Sequence, residues 1–293
     1  MTGFFVFCSS ALLDRFVRPF YNEGNAIRGD FSPLGRDFCV EIQYYKEPSR
    51  FLRREMEFKV FGHSGLPCLA FACEGGRFYD WEDHGMVAAL APLIDAGQIQ
   101  LFCADSVDAE NWLGSGEGRA RSETQERWFN YLAGELIPRV LALNGGTHTR
   151  VALLGCSLGA GHALNLYLRR PELVCGAICL SGSYSAATWF GPYHDDLTLR
   201  NSPLEYLPLL HTEGLPSTRL APLFLCCGRG PYEDDFLADT RAMAQALTDR
   251  RMPAFVDYWG EDVSHDWPWW AKQAVYFLPQ LLQQLNSKAK PTA

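Results

Sequence analysis

The sequence predicts a mixed α/β domain in which a mostly parallel β-sheet is covered by helices on both faces. Short, continuous apolar runs alternate along the chain with amphipathic helical patterns, and a strand buried on both faces has such a run. In the stretch 150–168 an apolar run leads through a glycine-containing turn directly into a helical pattern. Strands that alternate with helices pair in parallel, so we expect one such sheet in one domain.

Taken in order, the segments 40–45 and 54–61 alternate apolar and polar residues, which is typical of half-exposed strands that could pair antiparallel at a sheet edge. The continuous apolar runs predict buried strands at 68–73, 99–104, 151–154 and 222–227, and further strands are expected at 173–180 and 254–259. Helical patterns occupy 86–96, 122–143, the stretch after Ser157, 236–250 and 268–285. Pro138 predicts a kink or break in the second of these helices. The irregular segment 185–220 is too short for a large lid.

These elements define three regions of the chain. Residues 1–38 are expected to be an N-terminal extension outside the periodic core, 39–287 the α/β domain, and 288–293 a polar tail. The N-terminus lacks the basic residue and the cleavage site of a signal peptide, which makes secretion the less favoured alternative.

The composition excludes several classes of protein. The 293 residues are 47% hydrophobic and 20% charged, which is typical of a folded domain with a sizeable core. The net charge is −8 and no block is rich in Lys or Arg, so neither a nucleic acid nor an anionic membrane is an expected partner. No apolar stretch is long enough to span a membrane. Ten cysteines, mostly in apolar runs and without Cys-x-x-Cys or His spacing, indicate reduced thiols in a cytoplasmic protein and no metal site.

The stretch Gly155-Cys156-Ser157-Leu158-Gly159 is the candidate catalytic centre. A G-x-S-x-G pattern between a strand and a helix forms a sharp turn that exposes the serine hydroxyl at the carboxyl end of the sheet. Cys156 is expected to pack beneath the turn, since its side chain should point away from the exposed hydroxyl. Ser157 is therefore the predicted nucleophile.

A serine hydroxyl is a weak nucleophile without a base and an acid that orients the base. His265 lies between the last predicted strand and the last helix, which makes it the candidate base. Three adjacent acids, Glu233, Asp234 and Asp235, follow the preceding strand. We expect one of them to face His265 and the others to cap the next helix. Asp234 is the favoured acid, with Glu233 as the alternative.

The tetrahedral intermediate of acyl transfer needs two hydrogen-bond donors for its oxyanion. The backbone N–H of Leu158 should be one. The loop after the strand 68–73 should supply the other, with Gly76 favoured over Arg77. The residues considered as borders of a substrate pocket are Arg77, Trp112, Tyr184 and Trp267.

With these residues placed, the chain resembles the Putative esterase family of α/β hydrolases, which includes S-formylglutathione hydrolase (esterase D) and the mycolyltransferases. The resemblance covers about residues 40–287. It is carried by residues 155–163, Glu135-Leu136-Ile137-Pro138, Gly228 and Gly230 with 233–237 after them, and His265. It implies an α/β-hydrolase fold and ester hydrolysis without metal or organic cofactor, and it supports Asp234 as the acid. The sequence departs from esterase D over 74–80, so formylglutathione is not implied as the substrate. The segments 106–112 and 265–270 are most similar to bacterial esterase-like proteins without a settled substrate.

The sequence therefore predicts a serine-dependent hydrolase that acts on a small carboxylic ester or thioester through an acyl-enzyme. An acyltransferase of the same fold differs only in admitting an alcohol instead of water, and the sequence leaves that alternative open. A non-catalytic binding protein of this fold is the third possibility, and it would be indicated by a missing nucleophile, base or acid. The oligomeric state is left open.

Overall fold

The computed structural model describes residues 40–210 and 221–289. These residues belong to the second of the two compact units of the chain, which begins at Val40. The expectations for residues 1–38 and for the end of the polar tail fall outside the described ranges. Among the described residues, no helix combines the length and the apolar character that crossing a membrane requires.

Within those ranges, eight strands form one sheet in the order β1-β2-β4-β3-β5-β6-β7-β8. The β1–β2 and β2–β4 pairs are antiparallel, and the other pairs are parallel. The strands are β1 (Ile42–Ser49), β2 (Arg54–Phe61), β3 (Leu66–Phe71), β4 (Ile99–Ala104), β5 (Val151–Cys156), β6 (Val174–Leu180), β7 (Leu223–Cys227) and β8 (Phe255–Tyr258). The antiparallel pair at one edge and the mostly parallel sheet are both as the sequence predicts.

The helices cover the two faces of this sheet. They are α1 (Asp80–Asp83), α2 (Met86–Asp95), α3 (Gly118–Tyr131), α4 (Ile137–Leu143), α5 (Leu158–Arg169), α6 (Ala187–Phe190), α7 (Asp196–Arg200), α8 (Pro203–Tyr206), α9 (Asp234–Asp249) and α10 (Trp267–Ala289). On β5, Leu153 belongs to one apolar core together with α3, α5 and α9, while Leu154 belongs to a second core with α2 and α10. Successive strand residues point to opposite faces, so the sheet separates two cores.

The helical stretch 118–143 contains the irregularity that Pro138 predicts. The α3 helix does not end at the proline but widens into a π-helix at Leu132–Leu136, and Pro138 lies in the first turn of α4. Proline lacks an N–H and crowds the carbonyl four residues earlier, so the wider turn falls where the regular bond is lost. The carboxylate of Glu135 accepts hydrogen bonds from Ser49 Oγ (2.7 Å) and Arg50 N (2.9 Å) at the end of β1.

The two ends of the parallel strands carry different connections. The loops after β3, β4, β5, β6, β7 and β8 all leave the sheet at the carboxyl ends of parallel strands. At the opposite edge, α4 is connected to the amino end of β5 through Gly145 and Gly146, which are exposed and have positive φ. The described part of the segment 185–220 consists of short helices, α6, α7 and α8, and one 3₁₀ turn at Leu207–Leu209.

Candidate active site

Ser157 lies in the sharp turn between β5 and α5, as the sequence predicts. Its backbone has φ 56° and ψ −123°, a conformation that non-glycine residues adopt only where the surroundings enforce it. The turn leaves no room for neighbouring side chains. A Cβ at Gly159 would lie 2.1 Å from the carbonyl oxygen of Ala72, and one at Gly155 would lie 2.2 Å from the carbonyl oxygen of Gly159. These contacts explain why glycine is needed at both positions.

His265 bridges Ser157 and a buried carboxylate. Its Nε2 lies 2.9 Å from Ser157 Oγ, and its Nδ1 lies 3.1 Å from Glu233 Oε2. The tautomer that satisfies both contacts carries its proton on Nδ1, which donates to the carboxylate while Nε2 accepts from the hydroxyl. Phe236 stacks on the imidazole at 3.7 Å between ring centroids, and Trp270 packs edge-on at 4.8 Å. The ring is therefore held in this orientation from two sides.

The carboxylate of Glu233 is almost completely buried, with 1% of the residue exposed. Besides His265, three groups donate to it: Ser181 Oγ at 2.6 Å, the Gly228 amide at 3.3 Å and the Cys227 thiol at 3.4 Å. A buried charge is tolerated when its lone pairs are satisfied in this way. The hydroxyl of Ser181 in turn accepts from the indole Nε1 of Trp270 at 3.2 Å.

The geometry contradicts the expectation that Asp234 is the acid that faces His265. Asp234 is exposed and is the first residue of α9, and Asp235 follows it in the same turn. Acidic side chains there interact favourably with the positive end of the helix. Glu233 immediately precedes the helix and is the one that points inward. The expected division of the three acids is thus present, but with Glu233 facing His265.

The oxyanion loop also differs from the expectation at one donor. Leu158 is the first residue of α5, where an N–H group has no acceptor within its helix. The Gly76 amide, by contrast, donates to the carbonyl oxygen of Cys73 at 2.9 Å and closes a tight turn. The Gly75 amide donates to Asp108 Oδ2 at 3.1 Å. Gly76 is therefore occupied by the turn itself, which the sequence pattern could not show.

Two of the four pocket candidates lie against the site loops. Trp112 is buried in a small apolar cluster that includes Leu158 and Phe190, so it packs beside the elbow. Trp267 is 8% exposed and stacks on His84 at 4.7 Å, next to Trp270.

The other two candidates have structural contacts instead. The Arg77 guanidinium donates twice to Asp105, at 2.6 and 3.1 Å. This hydrogen-bonded carboxylate raises the pKa of Arg77. Tyr184 is 1% exposed and belongs to the large core that includes Leu153, so its ring does not border an open pocket. Burial raises the pKa of its hydroxyl well above the usual value. The expectation that Tyr184 lines a pocket is wrong, because its side chain turns inward after β6.

Sequence reasoning missed the residues that support Glu233 and His265. Ser181 follows β6 directly, and the rule that site residues collect at carboxyl ends of strands could have identified it. Phe236 and Trp270 lie on helices, three residues after Glu233 and five residues after His265. Nothing in an aromatic residue on a helix distinguishes these packing partners from ordinary core residues.

Comparisons with known proteins agree with this architecture. The model of the family described as Putative esterase matches residues 59–281. A diacylglycerol acyltransferase/mycolyltransferase Ag85C of Mycobacterium avium is 22% identical, over 92% of this chain and 84% of that protein.

Two solved structures share the fold at low sequence identity. A ferulic acid esterase superposes with a TM-score of 0.67 at 16% identity, covering 84% of this chain and 99% of that one. An S-formylglutathione hydrolase of Staphylococcus aureus gives a TM-score of 0.61 at 12% identity, covering 85% and 99%. The fold is thus that of α/β-hydrolase esterases. From the extent of the family match, the chain belongs to the Putative esterase family and is an enzyme that acts on ester bonds.

Proposed function

We propose that the protein is a serine-dependent hydrolase of carboxylic esters or thioesters that works through an acyl-enzyme. The observation that carries this proposal is the continuous chain of contacts from Ser157 Oγ to His265 Nε2 (2.9 Å) and from His265 Nδ1 to Glu233 Oε2 (3.1 Å). These are the distances at which a base can take the hydroxyl proton and an acid can orient the base. The acid in this proposal is Glu233, in place of Asp234.

In the acylation step, Ser157 Oγ attacks the carbonyl carbon of the ester while its proton passes to His265 Nε2. The carboxylate of Glu233 stabilises the resulting imidazolium. The tetrahedral intermediate then collapses, the bond to the leaving alcohol or thiol breaks, and Nε2 returns the proton to that group. Water attacks the acyl-Ser157 ester with His265 again acting as the base, and the carboxylic acid is released.

The oxyanion of both intermediates needs two preorganised N–H donors. The Leu158 amide is one. Because the Gly75, Gly76 and Arg77 amides donate to Asp108, Cys73 and Asp80, we assign the second donor to the same turn, at the amide of Cys73 or Glu74.

The proposal is tested with p-nitrophenyl acetate and butyrate on the wild type and Ser157→Ala. We expect kcat to fall by roughly 10⁴-fold or more, as when the nucleophile of a triad is removed. A fluorophosphonate probe should label the wild type and not the variant. Cys156→Ala is the matched control, since it removes the neighbouring thiol, and it should keep its activity. Turnover that survives in Ser157→Ala would exclude the mechanism, and a wild type without turnover or labelling would favour a binding protein.

Acyl transfer to an alcohol is the second candidate, and the observation in its favour is the match to an acyltransferase/mycolyltransferase. The acyl-Ser157 intermediate is common to both reactions, and only the acceptor differs. With p-nitrophenyl butyrate and glycerol, the ratio of glycerol butyrate to butyric acid formed measures how the acyl group is divided between glycerol and water. Ester formation that exceeds the molar share of glycerol over water would favour transfer.

A further inference from the structure

A second pair of a buried carboxylate and an imidazole lies beside the oxyanion turn, and the proposed reaction leaves it unused. Asp108 is on the loop after β4, and His162 is on α5, five residues after Ser157. Asp108 Oδ1 and His162 Nε2 are 3.5 Å apart without a hydrogen bond between them, and the two side chains are 2% and 4% exposed. The imidazole packs between the rings of Trp112 (5.6 Å) and Trp128 (4.6 Å).

The other oxygen of Asp108 holds the oxyanion turn. Asp108 Oδ2 accepts from the amide of Gly75 at 3.1 Å. Gly75 has a φ of +66°, a left-handed conformation that favours glycine, and the Gly76 amide closes the turn onto Cys73. Burying a carboxylate is costly unless it is hydrogen-bonded or paired. The hydrogen bond from the Gly75 amide to Asp108 therefore holds the turn 73–76 in place.

The same loop holds the chain beyond the turn through a different carboxylate. Asp105 accepts from the Arg77 side chain and from the Phe78 amide, the latter at 3.3 Å. The Arg77–Asp105 pair is partly exposed, with 42% of the arginine side chain open to solvent. Of these two carboxylates, Asp108 bonds to the turn itself and also faces the helix that follows the nucleophile.

We propose that Asp108 is a positioning residue for the oxyanion hole, and that His162 supports it. Through the Gly75 amide, Asp108 sets the turn that carries the second oxyanion donor. Its other oxygen lies against His162 on α5, whose first amide is the other donor, so the packed imidazole limits how far the carboxylate can move. The pair thereby fixes the separation of the two donors. The inference rests on the proposed hydrolase function.

The test compares ground-state and transition-state binding in Asp108→Ala and Asp108→Asn. A trifluoromethyl ketone that matches the butyryl ester forms a tetrahedral oxyanion adduct with a serine nucleophile. In Asp108→Ala we expect kcat to fall about 30- to 300-fold, KM to change less than about threefold, and Ki for the ketone to rise by the same factor as kcat falls. Asp108→Asn keeps a carbonyl oxygen that can accept from the Gly75 amide, so its kcat and its affinity for the ketone should fall less than those of Asp108→Ala.

Two further variants separate positioning from stability. Val107→Ala, at the neighbouring buried residue, should lower Tm but leave kcat and the ketone Ki unchanged. His162→Ala should lower kcat, and His162→Gln should recover part of the loss, since its amide can donate to Asp108. If Asp108→Ala does not fold, the kinetics of Asp108→Asn, His162→Ala and His162→Gln decide whether Asp108 positions the oxyanion hole.

The proposal is wrong if Asp108→Asn and both His162 variants keep wild-type kcat and ketone affinity, or if Ki stays constant while kcat falls only with the folded fraction. A wild type without Ser157-dependent turnover would instead overturn the proposed function, and this inference with it. The two failures are therefore distinguishable.

Discussion

The two carboxylate–imidazole pairs, Glu233–His265 and Asp108–His162, differ in how their acids are satisfied. Glu233 lies 3.1 Å from its histidine and accepts from a hydroxyl, an amide and a thiol besides. Asp108 accepts from the Gly75 amide, while its Oδ1, at 3.5 Å from His162, has no hydrogen-bond partner in the described part of the chain. The acids of both pairs are buried, so burial of the acid alone does not distinguish them.

The difference follows the task proposed for each pair. An acid that stabilises a transient imidazolium must stay ionised and fixed in place while a proton moves beside it, and several donors achieve both. A carboxylate that positions a backbone turn can do so through one well-directed bond, such as that of Asp108 with the Gly75 amide. The number of donors to the acid therefore distinguishes the proposed catalytic pair better than the distance between the acid and its histidine does.

Of the substitutions in the two pairs, we expect the largest loss of activity at Glu233. In Glu233→Gln the amide still reaches His265, but it cannot stabilise the imidazolium, so we expect kcat to fall about 10³- to 10⁴-fold with little change in KM. Asp234→Asn, at the exposed neighbour, should stay within about threefold of the wild type. Steady-state kinetics with p-nitrophenyl butyrate measures both, and a loss confined to Asp234→Asn would restore the assignment made from sequence.

The donors to Glu233 allow a graded test. Ser181→Ala removes the 2.6 Å hydrogen bond to Oε1, and a bond to a charged group contributes about 1.5–3 kcal/mol. We expect kcat/KM to fall about 10-fold or somewhat more. Trp270→Phe removes only the indole N–H that donates to Ser181, and its loss should be smaller, about two- to threefold. An equal or larger loss in Trp270→Phe would mean that ring packing, and not the donors, supports the acid.

The smallest effect is expected at the thiols near each pair. Burial, together with the charges of Asp80 and Glu74, raises the pKa of Cys73 to about 11, and burial raises the pKa of Cys227. At pH 7.5 about one Cys73 thiol in a few thousand is ionised. Iodoacetamide at pH 7.5 should therefore leave the activity intact, and inactivation should accelerate as the pH approaches 11. Rapid inactivation at pH 7.5 would contradict the buried setting of these thiols.

The sequence predicted the alternation of strands and helices and placed Ser157 and His265 at the same end of the sheet, where they lie 2.9 Å apart. Apolar runs marked every buried strand because parallel strands are covered on both faces. Ser157 and His265 followed from their places after strands. The choice among Glu233, Asp234 and Asp235 depends on the residue at which α9 begins, which shifts by one or two positions without changing any pattern. Whether the Gly76 amide is free depends on the geometry of its turn. Neither this geometry nor the first residue of α9 can be deduced from the residue types.

The connection through Gly145 and Gly146 has a practical consequence for immobilising the enzyme. It lies at the amino end of β5, and the six residues of that strand span about 20 Å between it and Ser157. A cysteine or a short tag inserted between the two glycines would attach the protein to a bead or an electrode at the end of β5 opposite Ser157. Such a conjugate should keep the specific activity of the free enzyme.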